Sequence, residues 1–219
     1  MLDDLLDWGW IGRHLDDIAF RIWQHFSLSA IALVLGFLIS FGLALLIYRR
    51  RRLYGPIAGV AGILYTIPSL ALFAVLVPIT GLSIWTAEIA LVGYTLLIYL
   101  RTMMTGLDGV PTEVREAASG MGFTAWQRLW RIELPLALPS IVTGARVAAV
   151  TTVGLVTVAG LVGQGGLGRL IVDDGLRRYF PTPLYVGSVL SIALALLIDL
   201  LLLGVLRGLT PWSRRAGAR

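Results

Sequence analysis

Apolar residues in this chain come in long runs rather than in alternation with polar ones. Predominantly apolar stretches lie at about residues 26–48, 56–80, 84–106, 136–161 and 184–206. A helix needs about 20 such residues to cross the hydrocarbon of a bilayer, so the pattern predicts five spans. The expected fold is an all-α polytopic membrane protein, with residues 26–207 forming a single transmembrane domain. Ahead of it, Leu15, Ile18, Ala19, Ile22 and Trp23 fall on one helical face, with Trp8 and Trp10 nearby. Residues 1–25 therefore read as an amphipathic segment lying at the membrane interface. It does not resemble a secretion signal, because Asp3, Asp4 and Asp7 stand where such a signal needs positive charge. At the other end, residues 208–219 form a basic tail with Arg214, Arg215 and Arg219.

Charge sets the direction of the spans. Arg49, Arg50, Arg51 and Arg52 follow the first span directly, and a cluster of this kind holds its end of a helix in the cytoplasm. Five crossings then place the N-terminus outside and the C-terminus inside. The arginine run, the loop at 107–135 and the basic tail share one side, and the acidic N-terminal segment faces the other. The topology is self-consistent. The net charge of +5 is explained by this distribution without a nucleic-acid partner, and no basic soluble face accompanies it.

Composition adds exclusions. Only 14% of residues are charged, against about 25% in a typical soluble domain. There is no cysteine, which removes disulfides and thiol chemistry. All eighteen basic residues are arginine, so the lysine of a P-loop is missing. If ATP drives this protein, ATP and its magnesium sit on a partner chain, and no cofactor is expected here. His14 and His25 stand outside any ligand pattern, so no metal is expected.

Inside the spans a few residues break the apolar background. Pro68, near the middle of the second span, frees a carbonyl and is a candidate hinge or static kink. Ser83 is a candidate cap for the third span, which also carries Glu88 and Arg101. Arg146 and Asp199 are the deepest opposite charges, and a lone charge there costs at least about 2.5–3.5 kcal/mol. They are expected to face protein or a water-filled path, as an ion pair ahead of a substrate site. Gly163, Gly165, Gly166 and Gly168 match G-x-G-x-x-G literally, but no strand precedes them as a dinucleotide site requires. They read as a close-packed loop at the outer mouth, followed by a short helix over about 170–178.

The most informative stretch is Glu116–Pro135. Thr112 is a candidate N-cap, Gly122 suits a left-handed stop, and Thr124 begins a second helix whose stripe Trp126, Leu129 and Trp130 is expected to be buried. Glu116-Ala117-Ala118, then Gly122 after three residues, then Ile132, Leu134 and Pro135 resemble the EAA loop of ABC-importer membrane subunits. In that family this helix docks on the ATPase and passes its closure to the spans. Glu116, Ala117, Ala118, Gly122, Ile132, Leu134 and Pro135 are the coupling residues the resemblance implies.

The five-span layout is similar to the methionine-importer type of permease. Thr66–Ala71, Glu133–Ala137 and the glycine loop more specifically resemble the importers of glycine betaine, carnitine or choline. The resemblance implies a prokaryotic cell-membrane subunit that makes and breaks no bonds. It also implies two ATPase copies, an extracellular or lipid-anchored binding protein, and a second permease, identical or paralogous. Tyr65, Phe73 and Tyr94 are candidates to line the path, or ordinary packing aromatics. Rival readings are an importer of amino acids or other small polar solutes, and an ion-coupled carrier using Asp199. Two further rivals are weaker. A membrane enzyme lacks a clustered catalytic set, and a non-transporting subunit leaves the EAA loop without a purpose.

Overall fold

The computed structural model describes residues 6–210, and within them every regular element is helical. The chain opens with a short helix, α1 (Trp8–Arg13), capped by the Asp7 carboxylate, which accepts from the Trp10 N–H at 2.8 Å. The helix α2 (Leu15–Arg49) follows directly. Its 35 residues extend about 52 Å, well beyond the roughly 30 Å of a bilayer core. Here the structure corrects the sequence reading, because no separate interfacial helix ends near residue 25. No proline interrupts α2, and Gly36 and Gly42 alone do not stop a helix that tertiary contacts support. The expected apolar face also divides. Ile18 packs with Leu167 and Leu170, whereas Leu15, Ala19 and Trp23 are exposed.

The second span differs more. Instead of one kinked helix it forms α3 (Tyr54–Thr66) and α4 (Ser69–Thr80), and the axis turns by 96° between them. Pro68 has no N–H to continue the ladder, and the residue before it, Ile67, is extended (ψ 127°). Side chains satisfy what the break exposes. The Thr66 hydroxyl donates to Ile63 O at 2.7 Å, and the Tyr94 hydroxyl donates to Ile67 O. The described residues thus hold four uninterrupted helices of spanning length, or five spans if the bent pair is one.

The helix α5 (Ile84–Asp108) is the centre of the bundle and packs against α2, α3, α4 and α8 (Leu134–Ala159). Ser83 precedes it but does not cap it, since its hydroxyl donates back to Thr80 O. Near the arginine-rich end, Leu100, Met103, Met104 and Leu107 meet Ala44 and Ile47 of α2 and Ala137 and Ile141 of α8. Near the other end, Phe73, Ala87 and Leu91 meet Leu28, Ala32, Val156 and Ala159. Hydrophobicity alone does not drive such contacts in lipid, so close approach must supply the attraction. It comes from glycines. A Cβ on Gly36 would meet Thr95 Oγ1 at 1.8 Å, and one on Gly144 would meet Thr102 Oγ1 at 2.0 Å.

The last helix, α10 (Pro181–Leu209), packs on α8 and on a wide helical turn at Leu170–Leu176, which continues α9 (Leu167–Arg169). The helix expected at 170–178 therefore starts earlier and ends at Leu176. Of the tail, residues 211–219 lie outside the described residues, as do Asp3 and Asp4.

Candidate functional site

At the arginine-rich end, α5 is followed by α6 (Thr112–Gly120) and α7 (Ala125–Arg128). The N-cap position of α6 is Pro111, whose fixed φ suits a helix start, and Thr112 is already helical. The expected threonine cap appears instead at α7. There the Thr124 Oγ1 accepts from the Gln127 backbone N–H at 3.2 Å, and the Gln127 side-chain Oε1 accepts from the Thr124 N–H at 2.9 Å. Between the helices Gly122 adopts φ 83°. The Phe123 N–H reaches Ala118 O and the Gly122 N–H reaches Ser119 O, which closes α6 with a left-handed glycine stop. This geometry accounts for the fixed distance from Glu116-Ala117-Ala118 to Gly122.

The EAA triplet splits by face. Ala118 is fully buried against the bundle, while Glu116 and Ala117 are exposed. Met121 (68% exposed) and Trp126 (44%) stand on the same end of the molecule. Of the expected buried stripe Trp126, Leu129 and Trp130, only Leu129 is buried. The two tryptophans remain about half exposed and stack edge to face, with the Arg49 guanidinium 5.2 Å from the Trp126 ring.

From Ala125 onward the backbone does not form a loop before the next span. One wide π-turn, Leu129–Glu133, joins α7 to α8, so this helix begins well before residue 136. The turn lies where the ring of Pro135 would crowd the carbonyl of Arg131 in a regular α-helix. Ile132, Leu134 and Pro135 are half buried along it.

The wide turn carries Glu133 inward, and this is the residue that sequence reasoning missed. Its side chain is 1% exposed and gathers groups from three other elements. Arg128 Nε donates to it at 2.7 Å, the Tyr48 hydroxyl of α2 donates at 3.0 Å, and Arg115 Nε of α6 stands 3.7 Å away. Arg115 also donates to Leu107 O of α5 at 2.5 Å, and Arg128 to Ser119 Oγ of α6 at 2.8 Å. A nearby pair, Arg51–Asp108 at 2.5 Å, joins the turn that follows α2 to the end of α5. One buried carboxylate thus ties α6 to α2, α5 and α8. A signal was present in the sequence. Glu133 is an acid at the start of a span, with arginines five residues before it and on the preceding helix.

Elsewhere, Arg146 and Asp199 meet across α8 and α10 in a two-pronged contact, Nε–Oδ1 and Nη2–Oδ2 both at 2.8 Å. The four loop glycines lie at the opposite end of the bundle. Gly163 (φ 79°) and Gly166 (φ 46°) take backbone angles that side chains disfavour. Gly165, Gly166 and Gly168 press against backbone: a Cβ would come within 2.3 Å of Gly160 N, 2.5 Å of His25 N and 2.3 Å of Thr157 O respectively. The loop is a backbone wedge between α2 and α8, with no cavity for a dinucleotide. His25 is buried beneath it, its Nε2 3.1 Å from Val153 O.

Comparison with known proteins agrees with this geometry. Residues 32–210 match the family described as binding-protein-dependent transport system inner membrane component. The osmoprotectant import permease OsmW of Salmonella typhimurium is 38% identical over 89% of this chain and 92% of its own length. The glycine betaine/carnitine/choline permease OpuCB of Bacillus subtilis is 34% identical over 89% of each chain. In the inward-facing methionine transporter MetNI, one chain superposes with a TM-score of 0.82 at 25% identity, covering 90% of this chain and 98% of that one. The chain is a prokaryotic membrane permease subunit and belongs to the family of binding-protein-dependent transport system inner membrane components.

Proposed function

We propose that this chain is one of two permease subunits of an ATP-driven importer of a quaternary-amine osmoprotectant: glycine betaine, carnitine or choline. The observation that carries the coupling half of this reading is the Glu133 hub. It makes α6, with Glu116 and Ala117 facing outward, mechanically continuous with α2, α5 and α8. A docked ATPase that moves α6 therefore moves spans. The osmoprotectant and glycine betaine/carnitine/choline permeases among its relatives support the substrate class. The likeness to the methionine transporter favours an amino acid as the second reading.

On this proposal two ATPase copies hold the ATP and magnesium and dock at the arginine-rich end, which faces the cytoplasm. A second permease, identical or paralogous, completes the path. A binding protein delivers substrate at the end that carries the glycine loop, and the N-terminus lies outside. Arg49–Arg52 support that orientation through the preference of arginine clusters for the cytoplasmic side.

The test is uptake of labelled glycine betaine and choline by cells with and without the gene, at low and high osmolarity, with an ATP-depleted control. Loss of ATP-dependent uptake on deletion is expected. Gly122→Asp is expected to abolish uptake while leaving the protein in the membrane, because a side chain at φ 83° shifts α6 against its partner. Normal uptake with Gly122→Asp at normal expression refutes the coupling role.

A further inference from the structure

The most buried helix of the bundle has one polar opening. Along α5, the exposed residues are Ile84, Trp85 and Ile89 near the glycine-loop end, and Arg101, Thr105 and Asp108 near the arginine-rich end. Asp108 is neutralised by Arg51. Arg101 is different: among the described residues it has neither an ion-pair nor a hydrogen-bond partner. It lies seven residues short of the end of α5, about 10 Å deeper than Asp108. An unpaired guanidinium at that depth is costly against lipid, so this face borders water or protein.

The surroundings are built for a ligand that accepts hydrogen bonds. Arg101 opens into a cleft of about 370 Å³ lined by Thr102, Thr105, Pro139, Ser140 and Thr143. The floor is rigid, because α5 and α8 cross there with almost no space between them. A Cβ on Gly106 would meet Ser140 Cβ at 2.9 Å, and Gly144 seats Thr102. The hydroxyls fall into two sets. Thr102 donates to Ile98 O and Tyr99 O, and Thr143 to Pro139 O, so their protons are committed. Thr105 and Ser140 have no side-chain partner among the described residues, and their protons are free to donate. A guanidinium fork beside two free hydroxyl donors matches a carboxylate. The cleft contains no acid and no aromatic ring, and so offers nothing to a quaternary ammonium group.

We propose that Arg101, with Thr105 and Ser140, forms a carboxylate subsite on the translocation path, which selects substrates with a carboxylate over cations without one. This rests on the osmoprotectant reading above and narrows it. Glycine betaine and carnitine carry the carboxylate; choline does not, and meets only the positive charge of Arg101.

The experiment uses the whole importer in proteoliposomes, with its ATPase, both permeases and a binding protein that carries both substrates. Uptake of glycine betaine and choline is measured for the wild type, Arg101→Gln and Arg101→Lys. The glycine betaine to choline uptake ratio is expected to fall at least tenfold in Arg101→Gln. A smaller fall is expected in Arg101→Lys, which keeps the charge but loses the fork. Both substrates falling together, or failure of both variants to assemble, would make Arg101 a contact for the second permease and overturn the subsite. An unchanged ratio overturns it equally. A wild-type complex that takes up neither solute overturns the osmoprotectant reading itself, and the subsite with it.

Discussion

Replacing Glu133 by glutamine tests the coupling hub with the smallest change of shape. Glutamine keeps an acceptor for the Tyr48 hydroxyl but removes the charge that holds Arg128 at 2.7 Å and Arg115 at 3.7 Å. A hydrogen bond to a charged group contributes about 1.5–3 kcal/mol, and breaking a buried pair costs about 3–5 kcal/mol. The guanidiniums are not fully buried. The Arg128 and Arg115 side chains keep 24% and 27% of their surface, so water compensates part of the loss. The expected destabilisation of the α6 attachment is therefore about 2–3 kcal/mol, more than tenfold in a two-state element. Alanine, which also abandons the tyrosine, should reach the upper end of that scale. The assay is paired: substrate uptake and ATP hydrolysis by the same reconstituted complex, with its melting midpoint. Uptake should fall at least tenfold in Glu133→Gln while ATP hydrolysis continues, since the proposed docking face of α6 is left unchanged. Two results would refute the reasoning. One is wild-type uptake with an unchanged melting midpoint. The other is an Arg128→Ala/Glu133→Gln cycle in which the two changes simply add.

Two further predictions address the spans. Gly168→Ala places a methyl within 2.3 Å of Thr157 O, and the atoms it meets are all Thr157 backbone, which cannot step aside. It should cost at least about 1–3 kcal/mol, as overpacking does, and be read as a lowered melting midpoint, with Gly42→Ala, which meets nothing within 4 Å, as the harmless control. Arg146→Ala and Asp199→Ala should each destabilise the α8–α10 contact. The double variant should do less damage than the sum, because the second truncation removes the charge the first one stranded; strict additivity in unfolding from detergent micelles would show that the pair contributes nothing.

What could be read from the chain was local. Apolar runs located the helices able to cross a bilayer, but not their starts: α2 and the helix through α8 begin well before residues 26 and 136, because backbone hydrogen bonding does not stop where the apolar run does. The spacing from Glu116 to Gly122 was legible because one helix and its left-handed stop lie between them. Capping was read less well, with Thr124 taking the role expected of Thr112, since a proline start at Pro111 needs no side-chain cap. Periodicity also overstated burial: Trp126 and Trp130 share a stripe with Leu129, but their neighbours cover only part of each ring, whereas Leu129 is fully enclosed.

The remainder depended on residues distant in sequence. Proline 68 weakens a helix wherever it stands, but a 96° turn persists because Tyr94, on another helix, satisfies the carbonyl that the break exposes. The glycine loop carries a nucleotide-like spelling, and only the backbones of α2 and α8 pressed against it reveal a wedge. Glu133 is one acid among several until a π-turn swings it inward to Tyr48, Arg115 and Arg128. Sequence by itself determined which segments are apolar enough to cross a membrane, because transfer into hydrocarbon and helix formation are summed over neighbouring residues. Tertiary structure decided which charges are held and which, like Arg101, stay free, because pairing a buried charge takes a partner brought from elsewhere in the fold.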